Sequence, residues 1–429
     1  MSRMTSSPII VAALVVLTLT MVGASALPLR TQAPGQIAYL DGEGSVWLTD
    51  ADGGERSQIT SREGFTTIAW APDGRKLALV EGGPLWDELK SLYIVRADGS
   101  DLTKVGDGYA PVWSSDSRRI SYVTNFTTSE EGSEQELRIF DLEDGSDRVV
   151  AKRRWVSGLW PIESLSHSPD DELIAVYVAG LQMEGQLVIV DGEGSTVWQI
   201  PDLIYSADSF AWCPDGHYIV YRDSGEPFIG GEDPSLKIVG VETQEVVASL
   251  PEAGFCPRWS PDGEKISAFL WREGGAFQVM IVDAQSGELL YRSDQVFGDI
   301  WHSRPSWSPD GSRLVFSSSE DGEWDVLVMD EDGTFRSIAK GRYPEAAWCP
   351  DGAHLALAVG DQESREVFVV KADGSNLHKV ADGRMPRWRP QAVPEPSTRS
   401  VCGLPILGSS AALGLVLAGI WASRKGAVS

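Results

Sequence analysis

Short apolar runs with alternating or continuous burial patterns recur along the chain, each bounded by glycine, proline or aspartate. Lys76-Leu77-Ala78-Leu79-Val80 and Arg313-Leu314-Val315-Phe316 read as strands. The runs that follow them, Leu92-Tyr93-Ile94-Val95 and Val326-Leu327-Val328-Met329, read as their antiparallel partners. Ala97-Asp98-Gly99, Glu331-Asp332-Gly333 and Ala372-Asp373-Gly374 then supply tight turns into a further strand. The 44 glycines, 24 prolines and 16 tryptophans suit many short strands, not a helical bundle.

The strands are organised by a repeat. Trp70-Ala71-Pro72-Asp73-Gly74 recurs with changes at Trp113, His167, Trp212, Trp259, Trp307 and Trp348, and a decayed copy stands at Trp388-Arg389-Pro390. The spacings between these positions are 43, 54, 45, 47, 48, 41 and 40 residues, the size of one four-stranded propeller blade. In each unit a strand ends at the Trp and Pro-Asp-Gly turns the chain. Pro presets φ, Asp caps the turn and Gly accepts a positive φ. The tryptophans are apolar wedges between blades, a structural role.

Counting strands predicts how the ring closes. Ile37-Ala38-Tyr39-Leu40, Ser45-Val46-Trp47-Leu48 and Ser57-Gln58-Ile59-Thr60 are three strands of a blade without its first strand. Pro386-Arg387-Trp388 is a first strand without its blade. Joining them gives an all-β propeller of eight four-stranded antiparallel blades over residues 35–390, with one blade shared between the chain ends. Seven blades result if the degenerate His167 unit merges with a neighbour.

Both ends carry apolar runs. Arg3 precedes Ile9–Val22 and the small residues Gly23-Ala24-Ser25-Ala26, the layout of a secretory signal peptide over residues 1–26 with cleavage after Ala26. Residues 27–34 form a short linker. At the other end a Pro-rich linker, 391–400, leads into an apolar stretch over 401–422 and a short basic tail, 423–429, with Arg424 and Lys425. Twenty-two apolar residues are enough to cross a bilayer core of about 30 Å. The basic residues favour a cytoplasmic tail.

The hexapeptide Val393-Pro394-Glu395-Pro396-Ser397-Thr398, with this helix and basic end, resembles the PEP-CTERM sorting signal of bacterial exosortase substrates. That resemblance implies export, an exosortase-type processing enzyme as partner and a membrane anchor, transient or permanent, at the cell envelope. The W-x-P-D-G units resemble the propeller repeats of TolB and of prolyl-oligopeptidase-type peptidases. The TolB likeness implies a protein-binding role, although one fold hosts many functions.

Charge and chemistry narrow the reading. Thirty-six Lys and Arg face 62 Asp and Glu, a net charge of −26, which argues against a nucleic-acid partner. No G-x-S-x-G nucleophile motif occurs, as an oligopeptidase would need. The five histidines fall in different repeats and never pair at metal-ligand spacing. Asp50-Ala51-Asp52-Gly53 and Asp330-Glu331-Asp332-Gly333 lack the spacing of a calcium loop and are expected to be hairpin turns. No cofactor is implied. Cys213 and Cys256, on adjacent first strands, are a candidate disulfide pair, with buried thiols the preferred reading. Cys349 stands in another repeat, and Cys402 lies in the apolar tail.

Binding is expected at the channel mouth. The segments entering the first strands (61–69, 105–112, 152–166, 201–211, 251–258, 299–306, 340–347 and 381–387) hold ten basic and nine acidic residues. Residues 27–392 as a whole hold 32 basic against 61 acidic, so a near-neutral mouth sits in an acidic shell. Arg304, Arg342 and Arg384 are the candidate contacts for a carboxylate-bearing partner, because Arg pairs bidentately with carboxylates. Tyr109, Trp301 and Tyr343 are candidates for stacking on a sugar or anchoring a protein, and Trp155 and Trp160 lie in the same segments. The expected function is a non-enzymatic platform for a protein or an extracellular polysaccharide. The alternative is a polysaccharide lyase or hydrolase with a site at the same mouth.

Overall fold

The computed structural model describes residues 35–391 except 84–88, 130–131, 156–161, 180–183, 205–208, 224–234, 251–253, 273–274, 299, 301–303, 321, 343 and 362–363. The signal, linker, sorting-motif and apolar-tail readings, including Ala24, Ala26, Val393–Thr398, Arg424 and Lys425, therefore lie outside the described residues. Among the described residues all regular structure is strand, and no helix is long and apolar enough to cross a membrane.

The strands form eight antiparallel blades in a ring, and each Trp-ended strand is the first of its blade. Blade 1 joins the two ends of the chain in the order Arg384–Trp388, Ile37–Leu40, Val46–Thr49, Arg56–Gln58. Its closing pair runs Ile37↔Trp388, Ala38↔Arg387 and Leu40↔Arg384. The split blade is thus as the strand count predicted. The His167 unit makes a full blade of its own, Ile162–His167, Leu173–Ala179, Glu184–Asp191 and Thr196–Ile204, so the count is eight and not seven. This blade 4 touches blade 5 through one extra bridge, Leu203↔Asp223.

The described residues form no single central core. Among the described residues eight apolar clusters occur, one at each seam between neighbouring blades. The alternation along each second and third strand explains this. Val220 of blade 5 packs with Leu270 and Trp259 of blade 6, whereas its neighbour Tyr221 packs with Tyr177 of blade 4. A strand has two faces, and here both are buried.

The repeat motif performs two jobs. Inside each unit the Asp Oδ1 accepts the backbone N–H two residues on, at 2.8–3.1 Å in all seven turns. The motif glycines sit at φ between 67° and 81°. Ser117 and Asp171 hold the same left-handed turn without being glycine, at 62° and 61°.

Between units the tryptophans do more than wedge. Each indole Nε1 donates to the carbonyl just before the motif aromatic of the preceding blade. Trp113 reaches Ala69, Trp212 reaches Ser166, Trp259 reaches Ala211, Trp307 reaches Arg258, Trp348 reaches Ser306 and Trp388 reaches Ala347, at 3.0–3.2 Å. Trp70 completes the circuit onto Arg387, at 3.1 Å across the closing blade. His167 takes the eighth seat. Its Nε2 meets Ser121 Oγ of blade 3 at 2.8 Å, and its Nδ1 lies 3.3 Å from Asp171. This Ser-His-Asp array is structural, because Ser121 is fully buried.

Candidate functional site

The first strands line the axis of the ring, and proline shapes four of them. Pro111, Pro257, Pro305 and Pro386 each stand two residues before the motif Trp. Proline is tolerated there because the first strand is an edge with no inner neighbour to receive its missing N–H. In three blades the residue before the proline takes a left-handed φ, Ala110 at 51°, Cys256 at 51° and Met385 at 54°. The register slips at each of these places, which marks a bulge. The residue after the proline (Val112, Arg258 or Arg387) then lines a cavity.

Among the described residues, two cavities line the axis. The larger, about 470 Å³, has Pro111, Leu165, Phe210 and Trp212 on its blade 3–5 side and Arg258 and Arg304 opposite. The smaller, about 150 Å³, shares Arg304 and adds Arg387 and Glu345. The described channel lining thus combines apolar side chains with three arginines, Arg258, Arg304 and Arg387. Glu345 serves Arg365 at 2.5 Å and Arg387 at 4.0 Å. The protein around Arg387 pushes its pKa down; Glu345 opposes that shift and the positive charge of Arg304 adds to it. Yet 38% of the Arg387 side chain stays open, as suits a group inside a channel.

The six residues singled out in the sequence fare differently. Arg304 bridges both cavities. Arg342 is exposed and has no described side-chain partner. Arg384 braces blade 1 on blade 2 by donating to the Phe65 carbonyl at 3.2 Å. Tyr109 is a strut between blades 3 and 4. Its hydroxyl donates to the Ile162 carbonyl at 3.2 Å and accepts from Gln135 Nε2 at 2.7 Å. Trp301 and Tyr343 lie outside the described residues, as does Trp160.

Several basic residues assigned to mouth loops are on strands instead. Lys152 belongs to the outer strand of blade 3, Asp147–Trp155, where it pairs with Glu136 at 2.5 Å. Arg258 and Arg387 sit on inner strands, and this is what places them in the channel. The Pro-Arg-Trp sequence signalled this: Pro386-Arg387-Trp388 was read as a first strand, but the same pattern at Pro257-Arg258-Trp259 was not, and both arginines were still counted among the loop charges.

The remaining chemistry is simple. Cys256 and Cys349 are not disulfide-bonded, so the bridge between Cys213 and Cys256 is not made. Burial pushes the Cys349 thiol up to about 12. Gly53 N–H bonds the Asp50 carbonyl and Gly333 N–H bonds that of Asp330, so both D-x-D-G segments are hairpin turns. Among the described residues no three of His, Cys, Asp and Glu are grouped to hold a metal ion.

This architecture has known relatives. Dipeptidyl-peptidase 5 of Porphyromonas gingivalis is 23% identical over 378 residues, covering 71% of this chain and 52% of that protein. An uncharacterized peptidase, YuxL, of Bacillus subtilis is 44% identical over 68 residues, 16% of this chain and 10% of YuxL. The chain thus spans about half, or less, of the length of these curated relatives. Among solved structures, a eukaryotic initiation factor superposes with a TM-score of 0.55 at 12% identity, covering 83% of this chain and 98% of that one. At that identity the likeness is one of fold. The profile of the TolB beta propeller domain, PD40, matches residues 175–396, where the Trp-x-Pro-Asp-Gly units at 212, 259, 307 and 348 stand. With more than half of its length matched, the chain belongs to the TolB beta propeller domain family.

Proposed function

We propose that this protein is a non-catalytic binding platform whose channel takes a carboxylate-bearing segment of a protein or an acidic polysaccharide. The observation that carries this reading is the convergence of Arg258, Arg304 and Arg387 on two channel cavities that share Arg304, in a chain of net charge −26. An acidic shell repels anions, so a cationic strip inside it discriminates in favour of a ligand that can enter the channel and pair there. The apolar side chains of the same lining, such as Leu165, Phe210 and Trp212, would hold the uncharged part of the ligand. Export and attachment at the envelope belong to the same proposal and rest on the two terminal segments of the sequence.

The test is retention of polygalacturonate and of polyglutamate by the purified chain, beside a triple Arg258→Gln, Arg304→Gln, Arg387→Gln variant. Wild type is expected to retain at least one of the two polymers, with affinity reduced tenfold or more in the variant. Arg342→Gln, at the exposed rim, is expected to change little. Retention that survives the triple change would move the ligand off the channel. Shortening of the polymer during the assay would replace the platform with a lyase or hydrolase.

A further inference from the structure

Another cavity, of about 430 Å³, shares no lining residue with those of the channel. One wall is the segment 295–298, which leads from blade 6 towards blade 7, and the other is the hairpin end of the blade 7 strands Leu314–Glu320 and Glu323–Met329. Phe297 fixes the segment by exchanging two backbone hydrogen bonds with Phe277, at 2.7 and 2.8 Å, and with Leu327 it gives the cavity an apolar part. Register gathers the polar groups. Ser318 lies opposite Asp325 and Glu320 opposite Glu323, and all four line the cavity from one face of the blade. Two carboxylates directly opposite each other are unfavourable without a cation, and no described residue pairs with Glu320 or Glu323. Asp325 accepts from Ser337 Oγ at 2.6 Å and has Lys340, the only base among the described lining residues, at 4.0 Å. Ser318 is 7% exposed, and no described residue bonds its hydroxyl. A buried hydroxyl normally has a partner, so this one awaits a group that enters the cavity.

Blade 2 shows what occupies this place when the chain itself supplies it. Glu81 stands four residues beyond Leu77, the cross-strand partner of the motif Trp70. Ser318 stands equally far beyond Leu314, the partner of Trp307. By the same register Tyr93 corresponds to Leu327. In blade 2 the segment entering the first strand carries Arg62. Its guanidinium donates to both Glu81 oxygens, at 2.6 and 2.7 Å, and lies 4.8 Å from the centre of the Tyr93 ring. The segment entering blade 7 reads Gln295-Val296-Phe297-Gly298 and brings no cation. Blade 7 thus presents carboxylates beside an apolar surface, as blade 2 does, but its entering segment has no guanidinium to set there.

We propose that the cavity between blades 6 and 7 binds an arginine side chain presented by an exposed segment of another protein. Glu320, Glu323 and Asp325 accept from its guanidinium, whose planar fork suits carboxylates, and the Ser318 hydroxyl is a further acceptor. The alkyl stem lies along Phe297 and Leu327. This site stands apart from the arginine-lined channel, so either can fail without the other.

The probe is the peptide acetyl-Gly-Leu-Arg-Leu-Gly-amide, titrated calorimetrically onto the full chain beside its citrulline counterpart and beside acetylarginine amide. The arginine peptide is expected to bind saturably, and citrulline, which keeps the shape without the charge, to bind roughly tenfold more weakly or worse. Glu320→Gln, Glu323→Gln and Asp325→Asn together should weaken the arginine peptide to a similar degree. Glu193→Gln, Glu242→Gln and Glu288→Gln remove as much charge from exposed outer turns and should change its affinity less than about twofold. Val296→Arg, at a position 53% exposed on the cavity wall, should block the peptide by supplying the cation from within. The channel variant Arg258→Gln, Arg304→Gln, Arg387→Gln should bind the peptide as wild type does. No binding, equal binding of the citrulline peptide, or an equal loss in the outer-turn variant overturns the proposal, the last because it would reflect the acidic surface at large. Acetylarginine amide binding as tightly as the peptide overturns the protein partner in favour of a small ligand. Should the carboxylate variant not fold, Val296→Arg decides: blocked binding supports the site and unimpaired binding overturns it.

Discussion

Trp113 shows how much one atom of the repeat contributes. Its ring fills the seam between blades 2 and 3, and its indole nitrogen ties the inner strands together through Ala69 at 3.1 Å. Trp113→Phe keeps most of the volume and deletes the donor. The expected cost is about 1 kcal/mol, read as a lower denaturant midpoint with an unchanged slope. A loss of several kcal/mol would mean that packing, not the hydrogen bond, is what the indole supplies. The seam role of the tryptophans was legible in the sequence because large aromatics at blade period have few other uses. The bond was not legible, since its acceptor lies more than 40 residues away and is a backbone carbonyl, which no side chain advertises. Tyr109 also has a structural role that its place in the sequence did not show. An aromatic near a channel mouth reads as a ligand contact, yet its hydroxyl is held by Gln135 and Ile162 of blades 3 and 4.

Turns and strands obey stricter local rules, which is why they were read more faithfully. Pro-Asp-Gly carries its own φ preference and its own cap, so all seven motif turns form where expected. The outer turns separate strain from crowding. Gly145 and Gly194 occupy equivalent hairpin turns of blades 3 and 4, at φ of 71° and 90°. A Cβ on Gly145 would meet nothing within 4 Å, whereas one on Gly194 would lie 1.7 Å from the Val150 carbonyl oxygen of blade 3. Gly145→Ala is expected to cost about 1 kcal/mol of left-handed strain. Gly194→Ala should cost clearly more, because a backbone group of the neighbouring blade must move. Equal denaturation midpoints for the two variants would show that this seam yields easily. Inner-strand boundaries were harder to read. Pro257 and Pro386 look like loop residues unless the strand is known to be an edge, and edges are defined only once the ring exists. That is why Arg258 was counted as loop charge although it lines the channel, while Arg387, read as part of a first strand in the strand count, was counted among the loop charges as well.

At the scale of the molecule, closure depends on the strand Arg384–Trp388. It covers Ile37, Ala38 and Leu40, each fully buried, and sets Trp388 into the seam with blade 8. Removing residues 384–390 is expected to uncover that strand as an apolar edge and drive association, seen as high-mass species in light scattering after size exclusion. A truncated chain that remains monodisperse with an unchanged Tm would show that seven complete blades suffice. The count of eight was legible because the strand tally at the two ends was complementary. The channel was not, because its lining combines residues up to 276 positions apart in the chain, such as Pro111 and Arg387.

The register of that closing pair also governs how the ring would respond to tension. Ile37 lies opposite Trp388, so the chain enters and leaves the propeller at the same end of one antiparallel ladder. A pull that separates the two flanking segments loads the outermost hydrogen bond first and the rest in succession, as a zipper is loaded. All bonds of a sheared pair would share the force at once. The same seam that resists heat and denaturant cooperatively should therefore yield to modest force, peeling blade 1 apart while the other seven blades remain folded.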